Sequence, residues 1–311
     1  MNTRTGDVHE EHGSRGANQQ GISGAVLDHV AVAVERWSDA WSTYVGRLGG
    51  RWSSGGLNTG FAPAQLRFAN GAKVEVLQPH GSGTGSFLRR FLDRNGPGPH
   101  HLTFKVPDLA ASLELARSKG LEPVGVNLST PWWMEAFLHP RQATGIVVQL
   151  AQAAGEWTSP SPEGFPEPPA GIHASLLRAV HAVADMDEAL AIFRDFLGGT
   201  VTGRSGADDG SWVTTDLAWG GPLALRLLAP GNGFEQGTAL AAWLEGRRGR
   251  LHHLAFSQAG DQSTSRSSAR SGTSHPVVPG ADQNATSEVI DPSANFGTRL
   301  VIEHAWPGIS E

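Results

Sequence analysis

The sequence predicts an α+β fold of tandem βαβββ modules, because one strand pattern recurs four times along the 311 residues. In each copy, a strand with alternating apolar residues is followed 46 to 50 residues later by a strand with one polar residue at its centre. A helix-like segment that ends in glycine follows the first strand in three of the copies. The paired polar positions are His29 with Glu75, His101 with Gln149, Arg178 with Arg226, and His253 with Glu303.

The first two copies form two complete modules. Their expected strands are 27–34, 61–69, 72–78, 100–106, 122–127, 133–138 and 145–151. The expected helices are 36–48, 86–94 with Ser86 as N-cap, and 109–119 with Asp108 as N-cap. Because two modules fit into 25–152, we predict that these residues form one metal-binding domain.

The third and fourth copies are weaker and predict a second, degenerate domain at 172–306. A strand near 177–183 and a helix at 185–197 repeat the first module, and strands are expected near 225–228, 252–256 and 299–304. A Pro-rich linker at 153–171 should join the domains. The segments expected to lack regular structure are a disordered tail at 1–24, a low-complexity loop at 258–287 and a short tail at 307–311.

Composition narrows the function classes. The formal net charge is −6 without a basic field, so nucleic-acid binding is not expected. Cysteine is absent, which excludes thiol catalysis and thiolate ligands. No apolar run approaches the roughly 20 residues of a membrane span, and the N-terminal tail lacks the apolar stretch of a secretory signal. We therefore expect a cytoplasmic monomer or homodimer that binds a small molecule.

The alternation of side chains places four polar residues on one sheet face. In strand 27–34 the bulky valines share one face, and His29 shares the other with small alanines. Glu75, His101 and Gln149 occupy the equivalent face of their strands, and pseudo-twofold pairing would bring all four into one cleft. They would form a mononuclear site for a divalent Fe, Co, Ni, Zn or Mn ion. The alternative is that each is an isolated polar residue on a half-exposed strand.

Residues 25–152 resemble the vicinal oxygen chelate superfamily, and most of all its methylmalonyl-CoA epimerase and glyoxalase branch. The stretches that carry the likeness are Leu-Asp-His-Val-Ala at 27–31, Val-Glu-Val-Leu-Gln-Pro at 74–79, Pro-His-His-Leu-Thr-Phe at 99–104, Phe-Leu-His-Pro at 137–140 and Gly-Ile-Val-Val-Gln-Leu at 145–150. The resemblance implies that His29, Glu75, His101 and Gln149 bind the metal.

Two departures from the family change the expected chemistry. The last ligand is usually a glutamate that also serves as catalytic base, whereas Gln149 cannot take a proton. A further glutamate that the epimerase uses has no counterpart in 60–65. Since general acid–base catalysis needs a titratable group, we assign Glu135 and Lys105 as candidate catalytic residues. Either could instead be a solvated strand residue.

Four further side chains are candidates for substrate binding. Trp132 and Trp133 could form an aromatic wall of the cleft or pack in the core. Gln65 and Arg67 alternate with apolar neighbours and could bind a substrate carboxylate or phosphate, although a surface role is open for Arg67. His100 is expected to point to the opposite sheet face from His101.

In the second domain the four equivalent positions are Arg178, Arg226, His253 and Glu303. A guanidinium does not deprotonate, so two arginines are incompatible with a bound cation. We expect this half to be structural or to cap the cleft, or alternatively to hold a carboxylate between Arg178 and Arg226. His181 should face the other side of its strand.

Three functions fit these residues. The first is a metal-dependent lyase or isomerase that acts on a small oxygen-chelating substrate and stabilises an enolate or oxyanion. The second is an Fe(II)-dependent dioxygenase of the same superfamily. The third is a metal-free protein that binds small molecules, as drug-resistance proteins do. Metal content separates the third from the others, and oxygen dependence separates the second from the first.

Overall fold

The computed structural model describes residues 21–81, 86–231, 237–258, 278–282 and 286–304, which form two β-sheets. The strands are β1 (Val26–Ala33), β2 (Arg51–Gly55), β3 (Gly60–Arg67), β4 (Lys73–His80), β5 (Gly98–Lys105), β6 (Val124–Asn127), β7 (Trp133–Leu138), β8 (Val147–Ala153), β9 (Ser175–Val183), β10 (Thr200–Gly206), β11 (Trp212–Ala218), β12 (Ala224–Pro230), β13 (Gly249–Ser257), β14 (Thr286–Ile290) and β15 (Leu300–His304). The helices are α1 (Trp37–Trp41), α2 (Phe87–Asn95), α3 (Leu109–Ser118), α4 (Met186–Leu190) and α5 (Gly237–Leu244), with a 3₁₀ turn at Pro292–Ala294.

The first sheet contains both predicted modules of the first half. Its strand order is β2-β3-β4-β1-β5-β8-β7-β6. The first strands of the two modules, β1 and β5, pair antiparallel at the centre, and each pairs in parallel with the last strand of its own module. The four strands that carry the predicted ligands are therefore the four central neighbours β4, β1, β5 and β8.

The second sheet repeats this arrangement with seven strands, in the order β10-β11-β12-β9-β13-β15-β14. Its centre again pairs two first strands antiparallel, β9 with β13. The fold class predicted from the repeats is confirmed, since each half consists of βαβββ-type modules around a central antiparallel pair. Most of the predicted loop at 258–287 lies outside the described residues, so the described part of the fourth module consists of its strands and the 3₁₀ turn at Pro292–Ala294.

One apolar core joins the two sheets. The valine face of β1 belongs to it, as predicted, together with residues from both halves of the chain. Phe68 and Phe256 meet across the halves with ring centroids 5.0 Å apart, and Phe104 meets Trp219 at the same distance. The opposite face of each sheet is covered by a short helix, α2 over Ala31 and α5 over the equivalent part of β9.

The helix after the first strand is not a regular α-helix in either half. α1 continues as a π-helix over Ser42–Arg47, and α4 does so over Ala191–Phe196. The Leu48 amide donates to the Thr43 carbonyl five residues earlier, and the Leu197 amide makes the same bond to Ile192. Such a widened turn leaves the apolar spacing almost unchanged, so the sequence predicts a plain helix there.

Two predicted helix starts are confirmed by their caps. Ser86 accepts a hydrogen bond from the Arg89 amide, and Asp108 accepts one from the Ala111 amide. Each side chain thereby satisfies one of the backbone donors that a helix N-terminus leaves free.

Four strands are absent from the prediction, and three of them lie at sheet edges. These are the edge strands β2, β10 and β14, and the internal strand β11. β2 and β10 are rich in Ser, Thr and Gly, which weakens the two-residue alternation. Their strand conformation depends on backbone pairing with the neighbouring strand more than on their own side-chain pattern.

Residues 21–24, predicted as the end of the disordered tail, are packed against the rest of the protein. Ile22 is buried, and its amide donates to the Phe196 carbonyl at 2.8 Å. Residues 1–20 and 305–311, which include the rest of both predicted tails, lie outside the described residues. No helix among the described residues combines the length and apolarity needed to cross a membrane.

Candidate metal centre

Three of the four predicted ligands converge on the α2 side of the first sheet. The ligand atoms of His29, Glu75 and His101 all lie within 4.8 Å of one another, and all three side chains are buried. The Nε2 atoms of His29 and His101 are 3.6 and 3.7 Å from the same Glu75 oxygen. The three residues come from the adjacent strands β4, β1 and β5, so the sheet itself fixes their spacing.

The unmet hydrogen-bonding groups of this triad fit a metal ion. Neither His29 Nε2 nor His101 Nε2 has a hydrogen-bond partner among the described residues, although both are buried. A buried polar atom without a partner is costly and calls for an explanation. Two ligands that are each about 2.1 Å from one ion would lie about 3.0–3.5 Å apart, close to the observed separations.

Asp28, which was not among the predicted site residues, connects His29 to two lysines in a charged network. Asp28 Oδ2 lies 2.8 Å from His29 Nδ1, and its other oxygen is 2.9 Å from Lys73 Nζ and 3.2 Å from Lys105 Nζ. Burial alone would raise the pKa of Asp28, but the His29 hydrogen bond and both lysines hold it well below its usual range. Asp28 therefore keeps Nδ1 of His29 as a donor and directs Nε2 toward Glu75 and the centre of the triad.

The pKa values of the triad follow from the same contacts. Burial alone would lower the pKa of His29, but Glu75 and Asp28 outweigh it and raise that pKa. Burial would raise the pKa of Glu75, but the charge of His29 lowers it. Burial and His100 keep the pKa of His101 well below its usual value, so His101 is neutral and its Nε2 can ligate.

His100 lies on the same side of the sheet as His101, contrary to the prediction. A β-bulge at this point of the β1–β5 pairing breaks the alternation, and the two Nδ1 atoms lie 2.8 Å apart. His100 packs against Phe87 and Phe91 of α2, with ring centroids 5.6 and 4.7 Å away. It thus orients His101 as Asp28 orients His29.

Gln149 and Glu135 form a second polar group beside the triad. The Gln149 amide oxygen accepts from Thr103 at 2.6 Å, and its amide nitrogen donates to Glu135 at 2.7 Å. The same Glu135 oxygen accepts from the Trp133 indole at 2.8 Å. Thr103 and Glu135 thus hold Gln149, the fourth predicted ligand, in the cleft that Glu75 and His101 also line.

The other predicted site residues line one large cleft together with Glu75 and His101 of the triad. Gln65 donates to Glu75 at 3.2 Å, and Arg67 forms a 3.1 Å ion pair with Glu156. Trp132 is 70% exposed, so it does not belong to the core. Lys105 faces the cleft too, but its ammonium is paired with Asp28.

In the second half, three of the four equivalent positions take part in ion pairs, and the fourth is the buried His253. Arg178 binds the Glu303 carboxylate, and Arg226 binds Asp216 through two hydrogen bonds of 2.6 and 2.7 Å. Both arginines have carboxylate partners within the protein, so the alternative of a carboxylate-binding pocket is not supported. His181 faces the core, as predicted, where its Nε2 lies 2.9 Å from the Thr144 carbonyl oxygen.

Comparisons with known proteins agree with this architecture. Residues 28–131 match the family model of the glyoxalase/bleomycin resistance protein/dioxygenase superfamily. Mouse mitochondrial methylmalonyl-CoA epimerase is 30% identical over 136 residues, which are 41% of this chain and 72% of the mouse protein. The human enzyme is 29% identical over 41% of this chain and 73% of its own length.

A solved structure extends the likeness to both halves. A triple mutant of 4-hydroxymandelate synthase from Streptomyces coelicolor matches with a TM-score of 0.59 over 92% of this chain and 94% of its own, at 14% sequence identity. At that identity the match concerns the fold alone. The family-model match and the 30% identity over 72% of the mouse epimerase show that the chain belongs to the glyoxalase/bleomycin resistance protein/dioxygenase superfamily.

Proposed function

We propose that this protein is a metal-dependent lyase or isomerase that moves a proton next to a carbonyl group of a small, oxygen-chelating substrate. The observation that carries the proposal is the buried triad of His29, Glu75 and His101, in which two imidazole nitrogens point at one carboxylate without partners of their own. The epimerase relatives give the proposal its reaction class.

The triad would hold one divalent ion, with Gln149 as a possible fourth ligand at its edge. When bound, the ion supplies a Lewis acid that stabilises negative charge on a substrate oxygen. Asp28 and His100 orient the two imidazoles, and α2 covers this face of the sheet and limits the access of water.

Glu135 is the best candidate for the general base. One of its oxygens is held by Gln149 and Trp133, and the residue lies in the same cleft as the triad. A carboxylate fixed in this way can take a proton from a substrate carbon and return it. Gln149, which cannot do so itself, would then position the base instead of acting as one. Lys105 is better assigned to holding Asp28 than to proton transfer.

The second candidate function is an Fe(II)-dependent dioxygenase. Two histidines and one carboxylate form the ligand set that non-haem iron oxygenases use, and this triad has that composition. The metal-free binding protein is the least supported alternative, because it gives no reason for two unpartnered imidazole nitrogens in a buried triad.

Metal analysis combined with deuterium exchange tests the proposal. Wild-type protein, purified without chelator or His tag, should contain about one equivalent of transition metal, and the His29→Ala/His101→Ala variant should contain none. With methylmalonyl-CoA in deuterium oxide, the metal-loaded protein should exchange the proton next to the carbonyl. Glu135→Gln should keep the metal and slow the exchange by about 10²–10⁴-fold.

His253→Ala is the matched control, because it removes a buried histidine from the equivalent strand of the second half. It should retain both metal and exchange. A wild-type protein that takes up no metal even after reconstitution would exclude the proposal, and oxygen consumption by the Fe(II) form without exchange would favour the dioxygenase.

A further inference from the structure

The cleft that contains the triad extends well beyond it and into the second half of the chain. Its volume is about 1950 Å³, and its lining runs from His101 and Glu135 to Trp243, Arg250 and Arg299. The halves touch beside it, where Gly98 approaches Gly297. A ligand in this cleft can therefore contact both halves at once.

The charge of the cleft is opposite to that of the protein. Nine lysines and arginines but only four carboxylates line it, although the whole chain has a net charge of −6. All four lining carboxylates come from the first half, where Asp28 and Glu156 are paired with cations. The described residues that line it from the second half include three arginines and no carboxylate.

Arg299 is the least compensated of these cations. Its guanidinium contacts His252 Nε2 at 2.9 Å, and no carboxylate among the described residues forms an ion pair with it. Asp291 lies near enough for Arg299 to help lower its pKa, but not within ion-pair distance. His252 is buried, and burial together with Arg299 and Arg250 lowers its pKa to about 3. Neutral His252 therefore fixes Arg299 without cancelling its charge.

A second guanidinium is held nearby by contacts that also leave its charge available. Arg250 lies over the Trp243 ring, 4.3 Å from the centroid, and donates to the Trp243 carbonyl at 3.3 Å. Its carboxylate contact, with Glu245, is 3.6 Å long, and the Glu245 side chain is 63% exposed. An ion pair with so exposed a partner is weak. Trp243 also packs against His252, so the two arginines are fixed to one cluster.

We propose that Arg250 and Arg299, fixed by Trp243 and His252, form an oxyanion site in the second-half wall of the cleft, which binds a carboxylate or phosphate group of the ligand. Planar guanidinium groups match the geometry of both anions. As a statement about the substrate, this rests on the proposed function, because the other end of the same ligand would reach the triad. As a binding site, it does not depend on the metal.

Anion binding to the metal-free protein tests this site. Wild-type protein is stripped of metal with a chelator, dialysed, and titrated calorimetrically with inorganic pyrophosphate and, separately, with malonate. At least one of the two should bind, and the tighter one indicates whether phosphate or carboxylate is preferred. Arg299→Gln and Arg250→Gln should each weaken binding about tenfold or more, and added salt should weaken it further.

Arg204→Gln serves as the control, since Arg204 is an exposed arginine of the second half that does not line the cleft. It should bind both anions as the wild type does. No binding of either anion to the wild type, or equal binding by folded Arg299→Gln and Arg250→Gln variants, would overturn the proposal. Because the titration uses protein without metal, its result is separate from the metal analysis that tests the proposed function.

Discussion

The two halves of this protein place opposite chemistry at the same four sheet positions. In the first half His29, Glu75 and His101 face one another with two unpartnered nitrogens. In the second half, Arg178 and Arg226 stand where His29 and Glu75 would be, and each is bound to a carboxylate. The same backbone frame thus supports an open ligand set in one half and a closed set of ion pairs in the other.

The cross-strand contacts show how one arrangement corresponds to the other. Gln65 reaches Glu75 across β3 and β4 in the first half, and Asp216 reaches Arg226 across β11 and β12 in the second. Glu75 accepts the hydrogen bond in the first half, whereas Arg226, at the equivalent position, donates it in the second. A permanent guanidinium in place of a carboxylate disfavours a bound cation, and Arg226 instead links β12 to the neighbouring strand β11.

Breaking the ion pair between Arg178 and Glu303 should have the largest effect on stability. Glu303→Gln removes the charge partner of Arg178, whose side chain is mostly buried, so we expect the free energy of unfolding to fall by about 3–5 kcal/mol. Urea denaturation of the metal-free protein measures this. The double variant Arg178→Met/Glu303→Leu should recover most of the loss, because no buried charge remains unpaired. A loss below about 1 kcal/mol in Glu303→Gln would contradict the comparison.

The free energy of unfolding should depend on pH through a core residue of the second half that has no titratable counterpart in the first. His181 occupies the position that Val32 has in the first half, and burial lowers its pKa to about 4. The unfolded chain takes up this proton near pH 6.5 and the folded protein only near pH 4, so the stabilisation is complete above pH 6.5 and is lost as the pH falls to about 4. The expected loss is about 3 kcal/mol.

Urea denaturation at several pH values measures this loss. His181→Val copies the first half and should flatten the pH dependence of the unfolding free energy between pH 6.5 and 4, relative to wild type. An unchanged slope would show that His181 titrates normally in the folded protein.

The smallest expected effect is on metal affinity, from a substitution of Asp28, which is hydrogen-bonded to the ligand His29. Asp28→Asn keeps a hydrogen-bond acceptor for His29 but removes the charge that both lysines hold, so the metal affinity should fall about 10–100-fold. Competition with a chromophoric chelator measures the dissociation constant. Asp216→Asn, which changes the carboxylate partner of Arg226 in the second half, should leave this dissociation constant unchanged. Equal losses of metal affinity in both variants would point to a general effect on folding.

The repeats and the alternation of side chains were the main basis for predicting the fold class and the candidate ligands. Strict two-residue periodicity in β1, β4, β5 and β8 fixes which side chains share a face, and this led to His29, Glu75 and His101. The four undetected strands have weak alternation or take their order from a neighbour. The first-half helix prediction placed the helix correctly but not its π-helical turns, because side-chain spacing hardly records one extra residue.

Two features of the site could not be derived from periodicity. The bulge at His100 turns that residue toward His101, and the irregular pairing between Leu27 and His29 brings Asp28 into the cleft. A bulge shifts the alternation by one residue, and its position depends on how two distant strands pair. The sequence signal was a second polar residue directly before each histidine ligand, Asp28 before His29 and His100 before His101.

The sequence by itself determined the internal repeat and the fold class, and it placed His29, Glu75 and His101 on one face of the sheet as candidate ligands. These follow from local patterns. Only the tertiary structure decided that Glu135 faces the cleft, that Asp216 neutralises Arg226, and that Arg250 and Arg299 join the triad in one cleft. The first two depend on how neighbouring strands pair within one sheet, and the third depends on how the second half packs against the first.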